Sequence, residues 1–165
     1  GVEVRIAAEQ EILVRGPTRA LGYVGTADPA AEPHPLADPD GWYHTGDLGE
    51  IGPDGRLWIT GRRSDRIISG GVNVDPVEVE DVLRQHPAVV DVAVVGVPSR
   101  EWGETVGAVV VPVWDTFELS EVEAFLRSRL GGPKRPRVWK IEGRLPLNAN
   151  GKIDRAAVRA LFPAS

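Results

Sequence analysis

Two valine-rich runs near the middle of the chain constrain its fold more than any other feature. Residues 91–97 and 106–113 consist largely of β-branched side chains, which predicts two buried strands. Asp75 is followed by a proline at the first helical position and a glutamate at the third. These signals predict a helix that begins at this cap and extends to about Gln85.

Two further helices are predicted from similar signals. A capping box at residues 120–123 begins one helix, and a Gly-Gly-Pro stop at residues 131–133 ends it. Asp154 caps the other helix. Short strands are predicted at residues 66–68, 72–74 and 138–141. The resulting order, β-β-α-β-β-α-β-α, predicts an α+β domain in which helices pack on a small mixed β-sheet.

The part of the chain before these elements is predicted to be rich in β-structure. Residues 2–6 and 11–15 alternate in polarity and predict two antiparallel strands. Residues 26–41 hold many Pro, Ala and Asp residues and predict an irregular surface loop. A Pro-Asp-Gly turn at residues 53–55 predicts a hairpin between the strands beside it.

Length and composition fit two small domains. The 165 residues allow one domain or two small ones, and the change of pattern leads us to expect domains at residues 1–62 and 63–165. With 42% hydrophobic and 26% charged residues, the chain can bury a core and remain soluble. No apolar run reaches membrane-spanning length, so we expect no membrane span. The absence of cysteine fits a cytoplasmic protein, which we expect.

Charge and residue usage exclude several kinds of site. The net charge of −5 argues against a nucleic-acid-binding face. The chain has no cysteine, which excludes disulfides, a thiol nucleophile and a cysteine metal site. His34, His44 and His86 lack the spacing of metal ligands, so no metal site is predicted. The motifs of serine hydrolases, P-loop proteins and dinucleotide-binding folds do not occur.

Three motifs instead carry the candidate chemistry. They are Tyr-His-Thr-Gly-Asp at residues 43–47, Gly-Arg-Arg-Ser-Asp-Arg-Ile-Ile-Ser-Gly-Gly at residues 61–71, and Leu-Asn-Ala-Asn-Gly-Lys-Ile-Asp at residues 147–154. In this order they resemble the C-terminal part of the adenylate-forming superfamily, which includes acyl- and aryl-CoA synthetases, peptide-synthetase adenylation domains and luciferases. The string Gly-Arg-Arg-Ser-Asp is similar to that of o-succinylbenzoate–CoA ligases of menaquinone synthesis.

The resemblance implies that Thr45, Asp47 and Arg62 bind the nucleotide and that Lys152 is catalytic. Asp47 would accept hydrogen bonds from both ribose hydroxyls of ATP, and Arg62 would contact the ribose and phosphate side. Lys152 would bridge the substrate carboxylate and the α-phosphate, where it would neutralise charge during adenylation. From the residues alone, the alternatives are a turn aspartate at residue 47, an exposed arginine at a strand end at residue 62 and a surface lysine on a turn at residue 152.

The same resemblance implies a hinge and a coenzyme A site. Ser64 and Asp65 would form the hinge about which the C-terminal domain pivots, and Ser64 stands where the family usually has Asp or Lys. The residues assigned to CoA are Gly70, Gly71, Asn73, Trp102 and Arg135. A plain Gly-Gly turn, a core tryptophan and a solvated basic run are the alternatives.

Three functional hypotheses follow from these motifs. The first is an acyl- or aryl-acid–CoA ligase that makes acyl-AMP and pyrophosphate from a carboxylic acid and ATP, and then transfers the acyl group to CoA with release of AMP. The second is a peptide-synthetase adenylation domain, whose acceptor is a carrier protein. The third is a non-catalytic lid or interaction module.

Members of this superfamily are usually several hundred residues long. The resemblance implies that residues 1–62 are the terminal β portion of a large N-terminal domain and that residues 63–165 are the mobile C-terminal lid. It places the phosphate loop, the acid pocket and the residue that holds Mg²⁺ in the large domain. We therefore expect that domain to be a partner of the lid, and we expect the isolated chain to be inactive.

Overall fold

The computed structural model of this protein describes residues 1–23 and 34–163. The chain divides into two compact units, Gly1–Ser64 and Asp65–Ser165. The assignment of these units to parts of a larger enzyme stays a prediction.

The first unit is built from antiparallel β-strands. Its strands are β1 (Glu3–Ile6), β2 (Glu11–Arg15), β3 (Gly22–Tyr23), β4 (His34–Pro35), β5 (Tyr43–Ile51) and β6 (Leu57–Arg62). Four of them form a sheet in the order β1-β2-β5-β6, while β3 and β4 pair separately. The predicted antiparallel pair β1–β2 and the hairpin β5–β6 are confirmed.

Two expectations for this unit need correction. Residues 26–33 of the predicted loop lie outside the described residues, but His34 and Pro35 pair with β3 and therefore form a short strand. The first strand of the hairpin was predicted at residues 48–51 but begins at Tyr43, because Tyr43 and His44 already pair with β2. The Tyr-His-Thr-Gly-Asp motif at residues 43–47 is thus part of a strand whose backbone is fixed by its neighbours.

The second unit has the predicted order of elements. It contains β7 (Ile67–Ser69), β8 (Val72–Val74), α1 (Pro76–Leu83), β9 (Val89–Ser99), β10 (Gly103–Pro112), α2 (Leu119–Arg127), β11 (Val138–Ile141) and α3 (Arg155–Ala160). The sheet is mixed, since β10 pairs antiparallel with β9 and β7 but parallel with β11.

The central pair of strands, β9 and β10, is buried on both faces. One cluster joins the strands to α1 and α2 and includes Val79, Leu83, Val92, Val94, Val106, Val122 and Leu126. A second cluster joins them to α3 and includes Ala93, Val95, Val109, Val158 and Phe162. Alternate residues of a strand point to opposite faces, so burial on both sides explains the continuous valine runs. Each fully buried valine side chain contributes on the order of 1.5–3 kcal/mol.

The helix caps were predicted with mixed success. Asp75 and Asp154 are caps as expected, because Asp75 accepts a hydrogen bond from Val77 N at 2.9 Å and Asp154 accepts one from Ala157 N at 3.0 Å. The prediction of a capping box at residues 120–123 is wrong. Helix α2 begins at Leu119, and its cap is Glu118, whose side chain makes no capping hydrogen bond.

Two helix ends also differ from expectation. Helix α1 ends at Leu83 rather than Gln85, because Gln85 N bonds to Val82 O in a tighter final turn. Helix α2 ends at Arg127, before the predicted Gly-Gly-Pro stop. Across the described residues, no helix is both long and apolar enough to cross a membrane.

Candidate functional site

Strands β5 and β6 bring two of the predicted nucleotide-binding residues together. Asp47 and Arg62 are cross-strand partners, and Arg62 Nε lies 2.7 Å from Asp47 Oδ1. Arg62 Nη1 also donates to Thr45 O at 3.3 Å. The arginine is exposed and the carboxylate is half-buried. A carboxylate acceptor and a guanidinium donor are therefore presented side by side on a rigid hairpin.

Thr45 holds this arrangement through the backbone. Its hydroxyl donates to Ile12 O at 2.7 Å and accepts from Asp47 N at 3.0 Å. Gly46, which lies between Thr45 and Asp47, has a φ of +71°. This conformation costs an L-residue roughly 1–2 kcal/mol. The hydroxyl of Thr45 is thus engaged with two backbone groups, and its visible effect is to fix the position of Asp47.

Lys152 closes a tight turn in the second unit. Asn148 N donates to Lys152 O at 2.8 Å, and Lys152 N donates to Asn148 Oδ1 at 3.1 Å. Gly151 supplies the positive φ of +74° that the turn requires. The Lys152 side chain is exposed, and it makes no ion pair with any residue that the structure describes. The backbone is fixed while the ammonium group faces solvent.

Asn148 is a residue of this turn that sequence reasoning missed. Its side-chain oxygen also accepts from Asn150 N at 2.9 Å, so one amide organises most of the turn. An Asn two residues before an Asn-Gly pair, here residues 150–151, is a recognisable Asx-turn signal. That signal could have identified Asn148 as the residue that shapes the Lys152 turn.

Gly70 and Trp102, both assigned to CoA by resemblance, are in contact. Gly70 N donates to Trp102 O at 3.3 Å, and a Cβ atom at Gly70 would lie 2.2 Å from the Trp102 ring. Arg137 was not predicted, yet its guanidinium stacks over the same ring at 4.7 Å from the centroid. The sequence signal that could have identified Arg137 is its place in the basic run at residues 134–137.

The other residues assigned to CoA are more dispersed. Gly71 and Asn73 are exposed, and no atom lies within 4 Å of a Cβ built at Gly71. Arg135 lines a cleft of about 250 Å³ together with Arg127, Arg137 and Trp139. Because Arg137 also stacks on Trp102, it links this arginine-lined cleft to the Gly70–Trp102 contact.

The Gly70–Trp102 contact gives a prediction with a built-in control. Gly70→Ala should destabilise the second unit by about 1–3 kcal/mol more than Gly71→Ala, because overpacking carries roughly that penalty. Both glycines have positive φ, +57° and +80°, so the backbone cost is shared and the difference isolates the clash. Urea unfolding measures the difference in the free energy of unfolding, and the Trp102 indole N–H chemical shift reports the displacement of the ring. Equal destabilisation with an unchanged indole signal would contradict the contact.

A buried ion-pair network connects the predicted hinge to the helix that follows Lys152. Arg155 Nε lies 3.1 Å from Asp65 Oδ2, and Arg155 Nη1 lies 2.7 Å from Glu80 Oε1. The Glu80 side chain is only 3% exposed and also accepts from Val94 N at 2.8 Å. Burial lowers the pKa of Arg155, but the Glu80 hydrogen bond and the nearby carboxylates outweigh burial and raise this pKa. The guanidinium therefore stays charged.

Sequence reasoning did not identify Glu80 or Arg155. A glutamate inside a helix and an arginine at a helix start are common on surfaces, so neither carries a signal of burial by itself. Within the described ranges, no group of three or more His, Asp or Glu side chains is arranged to hold a metal ion.

Comparison with known proteins agrees with the motif resemblance. Residues 78–152 match the model of the AMP-binding enzyme C-terminal domain. The chain is 42% identical to 2-succinylbenzoate–CoA ligase of Bacillus mycoides (strain KBAB4), over 98% of this chain and 32% of the relative. It is 40% identical to medium/long-chain-fatty-acid–CoA ligase FadD8 of Mycobacterium tuberculosis (strain ATCC 25618 / H37Rv), over 98% of this chain and 29% of that protein.

Comparison with solved structures also finds a CoA synthetase. The fold matches o-succinylbenzoate CoA synthetase (MenE) from Bacillus subtilis in complex with the acyl-adenylate intermediate OSB-AMP, with a TM-score of 0.82 and 32% identity. The match covers 99% of this chain and 35% of that one. The chain spans about three-tenths of the length of the curated relatives that it matches. Residues 78–152 thus match the AMP-binding enzyme C-terminal domain, and almost the whole chain is similar to part of the adenylate-forming CoA ligases.

Proposed function

We propose that this chain is the C-terminal part of an AMP-forming acyl- or aryl-acid–CoA ligase. The observation that carries the proposal is the exposed ammonium group of Lys152 on a turn with a fixed backbone, which no described acidic side chain neutralises. Such a cation is suited to a charge that develops only when substrates are bound.

In the proposed first step, a carboxylate oxygen attacks the α-phosphorus of ATP, the bond to the β-phosphate bridge breaks, and pyrophosphate leaves. Lys152 offsets the negative charge that gathers on the carboxylate and the α-phosphate. Asp47 accepts hydrogen bonds from the ribose hydroxyls, and Arg62, held by Asp47 at 2.7 Å, donates toward the ribose and phosphates. Thr45 keeps Asp47 in position.

Magnesium is assigned to another part of the enzyme. Among residues 1–23 and 34–163, no cluster of three metal-ligating side chains is present, so these residues do not fit an Mg²⁺ site of their own. The proposal therefore places the ion, the phosphate loop and the acid pocket in the large N-terminal domain that the motif resemblance implies.

In the proposed second step, the CoA thiol attacks the acyl carbonyl and AMP leaves. The Gly70–Trp102 contact would line the path of the pantetheine arm, since a glycine lets a ligand approach the backbone closely. Arg135, with Arg127 and Arg137 in the same cleft, would pair with the CoA phosphates, which arginine binds in a bidentate manner. The second unit would reach this state by rotation about Ser64.

The enzyme that contains this chain provides the test. With a carboxylic acid, ATP and Mg²⁺, the full-length protein should catalyse acid-dependent ATP–pyrophosphate exchange and form acyl-CoA. The first acid to use is 2-succinylbenzoate, because ligases for this acid are similar to the chain at 42% and 32% identity. Fatty acids follow because of the likeness to FadD8.

The acceptor separates the proposal from its competitors. Transfer to free CoA supports a CoA ligase, whereas exchange followed by transfer only to a carrier protein would make the chain part of a peptide-synthetase adenylation domain. Absence of exchange with every acid would support a non-catalytic lid. The isolated 165-residue chain should form no acyl-AMP by itself.

The nucleotide site gives a matched pair of variants. Asp47→Asn in the full-length protein should lower kcat/KM for ATP about 10- to 100-fold, because hydrogen bonds to a charged group contribute roughly 1.5–3 kcal/mol each. Asp54→Asn removes a carboxylate that pairs with Arg56 at 3.4 Å in the turn of the same hairpin, and should leave this ratio within about twofold. Equal effects of the two variants in exchange assays would remove the assignment of Asp47.

A further inference from the structure

Strand β7 is joined to β10 by few backbone contacts. Gly103 and Ser69 form the one residue pair in the antiparallel register of these two described strands. Beside that pair, Gly70 N donates to Trp102 O at 3.3 Å. Farther along, β10 takes β11 as its partner, beginning at Gly107. The backbone ladder alone therefore gives β7 little support.

A side chain supplies the next contact between the two strands. Ile68 N donates to Glu104 Oε2 at 3.1 Å. Glu104 follows Gly103 and Ile68 precedes Ser69, so this contact continues the antiparallel pairing by one residue. The carboxylate accepts the kind of bond that a backbone carbonyl accepts in a regular ladder. Because an ionised acceptor makes the stronger hydrogen bond, Glu104 is well suited to hold β7.

Gly96 on β9 makes room for this carboxylate. A Cβ atom at residue 96 would lie 2.8 Å from Glu104 Oε1 and 3.1 Å from Glu104 Oε2. The oxygen that binds Ile68 N thus also lies close to the backbone of Gly96. The carboxylate therefore occupies this position only while residue 96 has no side chain.

The contact fixes the strand that leads into the Gly70–Gly71 turn. Strand β7 ends at Ser69 and β8 begins at Val72, so two glycines form the whole turn. Glycine has more backbone freedom than any other residue, and both glycines here have a positive φ. The orientation of such a turn depends on the strands at its base, and Ile68 lies one residue from the end of β7.

We propose that Glu104 is a positioning residue that holds β7 and, through β7, the Gly70–Gly71 turn in the orientation that CoA requires. The role in CoA binding rests on the proposed function, in which Gly70 and Trp102 line the path of the pantetheine arm. The attachment of β7 to Glu104 does not depend on that function. Glu104 acts through the turn and touches none of the reacting atoms.

Amide hydrogen exchange followed by NMR on this 17.8 kDa chain tests the attachment without an assay of activity. Glu104→Ala should raise the exchange rate of the Ile68 amide about 10- to 100-fold, since a hydrogen bond to a charged acceptor is worth roughly that factor. Gly96→Ala should also raise this rate, because the new methyl group would displace the carboxylate. Amides of the β10–β11 ladder should keep their rates, which shows that the domain remains folded.

Two conservative replacements separate the position of the side chain from its charge. Glu104→Gln keeps the length and an acceptor oxygen, so it should restore part of the protection that Glu104→Ala loses. Glu104→Asp keeps the charge but is one methylene shorter, so it should restore less. Glu101→Ala removes an exposed carboxylate three residues away and should leave the Ile68 amide unchanged.

In the full-length protein, Glu104→Ala should separate the two proposed half-reactions. With preformed acyl-AMP, kcat/KM for CoA should fall about 10- to 100-fold, the order of loss expected when a positioning element moves by about 1 Å. ATP–pyrophosphate exchange should stay within about twofold. General unfolding would instead lower both rates together. Glu104→Gln should regain part of the thioester-forming activity.

Unchanged exchange of the Ile68 amide in Glu104→Ala, or better rescue by Glu104→Asp than by Glu104→Gln, would overturn the positioning role. Normal use of CoA in a variant whose Ile68 amide has lost its protection would also overturn it. In each of these cases the ligase proposal still stands. A full-length protein that lacks both half-reactions would instead reject the ligase, while fast Ile68 exchange in Glu104→Ala would still support the attachment of β7.

Discussion

Replacing Lys152 by alanine in the full-length protein should lower the proposed acid-dependent ATP–pyrophosphate exchange about 100- to 1,000-fold. Removal of one charge-stabilising contact of the transition state costs roughly 3–4 kcal/mol. The backbone of the turn is held by Asn148 through hydrogen bonds of 2.8 and 3.1 Å, and the Lys152 side chain is exposed. The loss should therefore come from chemistry and leave stability almost unchanged.

Two further measurements identify the step that Lys152 serves. Conversion of preformed acyl-AMP and CoA to acyl-CoA should stay within about tenfold of the unmodified enzyme, since the resemblance implies a role in adenylation alone. Lys140→Ala, a lysine on β11 of the same unit, is the control and should retain exchange. Near-normal exchange in Lys152→Ala would refute the assignment and leave the proposed function without its main support.

Glu80→Ala should destabilise the second unit by about 3–5 kcal/mol, the range expected when one partner of a buried ion pair is removed. Glu80 accepts hydrogen bonds from Arg155 and from Val94 N. Without the carboxylate, the Arg155 guanidinium, which is 21% exposed, keeps Asp65 as its one salt-bridge partner within the described part of the chain. The loss is a large fraction of the stability of a small domain.

Glu78→Ala is the matched control on the same helix. Glu78 pairs with Lys134 at 2.6 Å, but both side chains are partly exposed, so its loss should cost no more than about 1 kcal/mol. Urea unfolding followed through amide signals of β9 measures both variants. A Glu80 variant as stable as the Glu78 variant would show that the network contributes little to folding.

Much of the second unit could be predicted because its signals are local. The caps at Asp75 and Asp154, and the valine runs that became β9 and β10, depend on neighbours close in sequence. The cap of α2 could not be predicted in this way. Ser120 and Glu123 fit a capping box, yet the cap lies two residues earlier, at Glu118, because Glu121 N and Val122 N both bond to Glu118 O.

The residues of the candidate site could be named from the sequence, but their positions relative to one another could not. Resemblance of the motifs named Asp47, Arg62 and Lys152, but no local pattern states that Arg62 lies opposite Asp47 in the register of β5 and β6. In the same way, the contact between Gly70 and Trp102 joins the β7–β8 turn to the residue before β10. Arg137 joins that contact from the basic run.

The sequence by itself determined the order of elements in the second unit, the burial of the valine strands and the family that the motifs resemble. These properties follow from side-chain type and spacing. Only the tertiary structure decided which charges meet. Glu11 holds Arg63, and Glu80 reaches Asp65 through Arg155, across separations that no periodicity encodes. Ion pairs between distant residues depend on strand register and helix packing, because a charge is stabilised by what surrounds it in space.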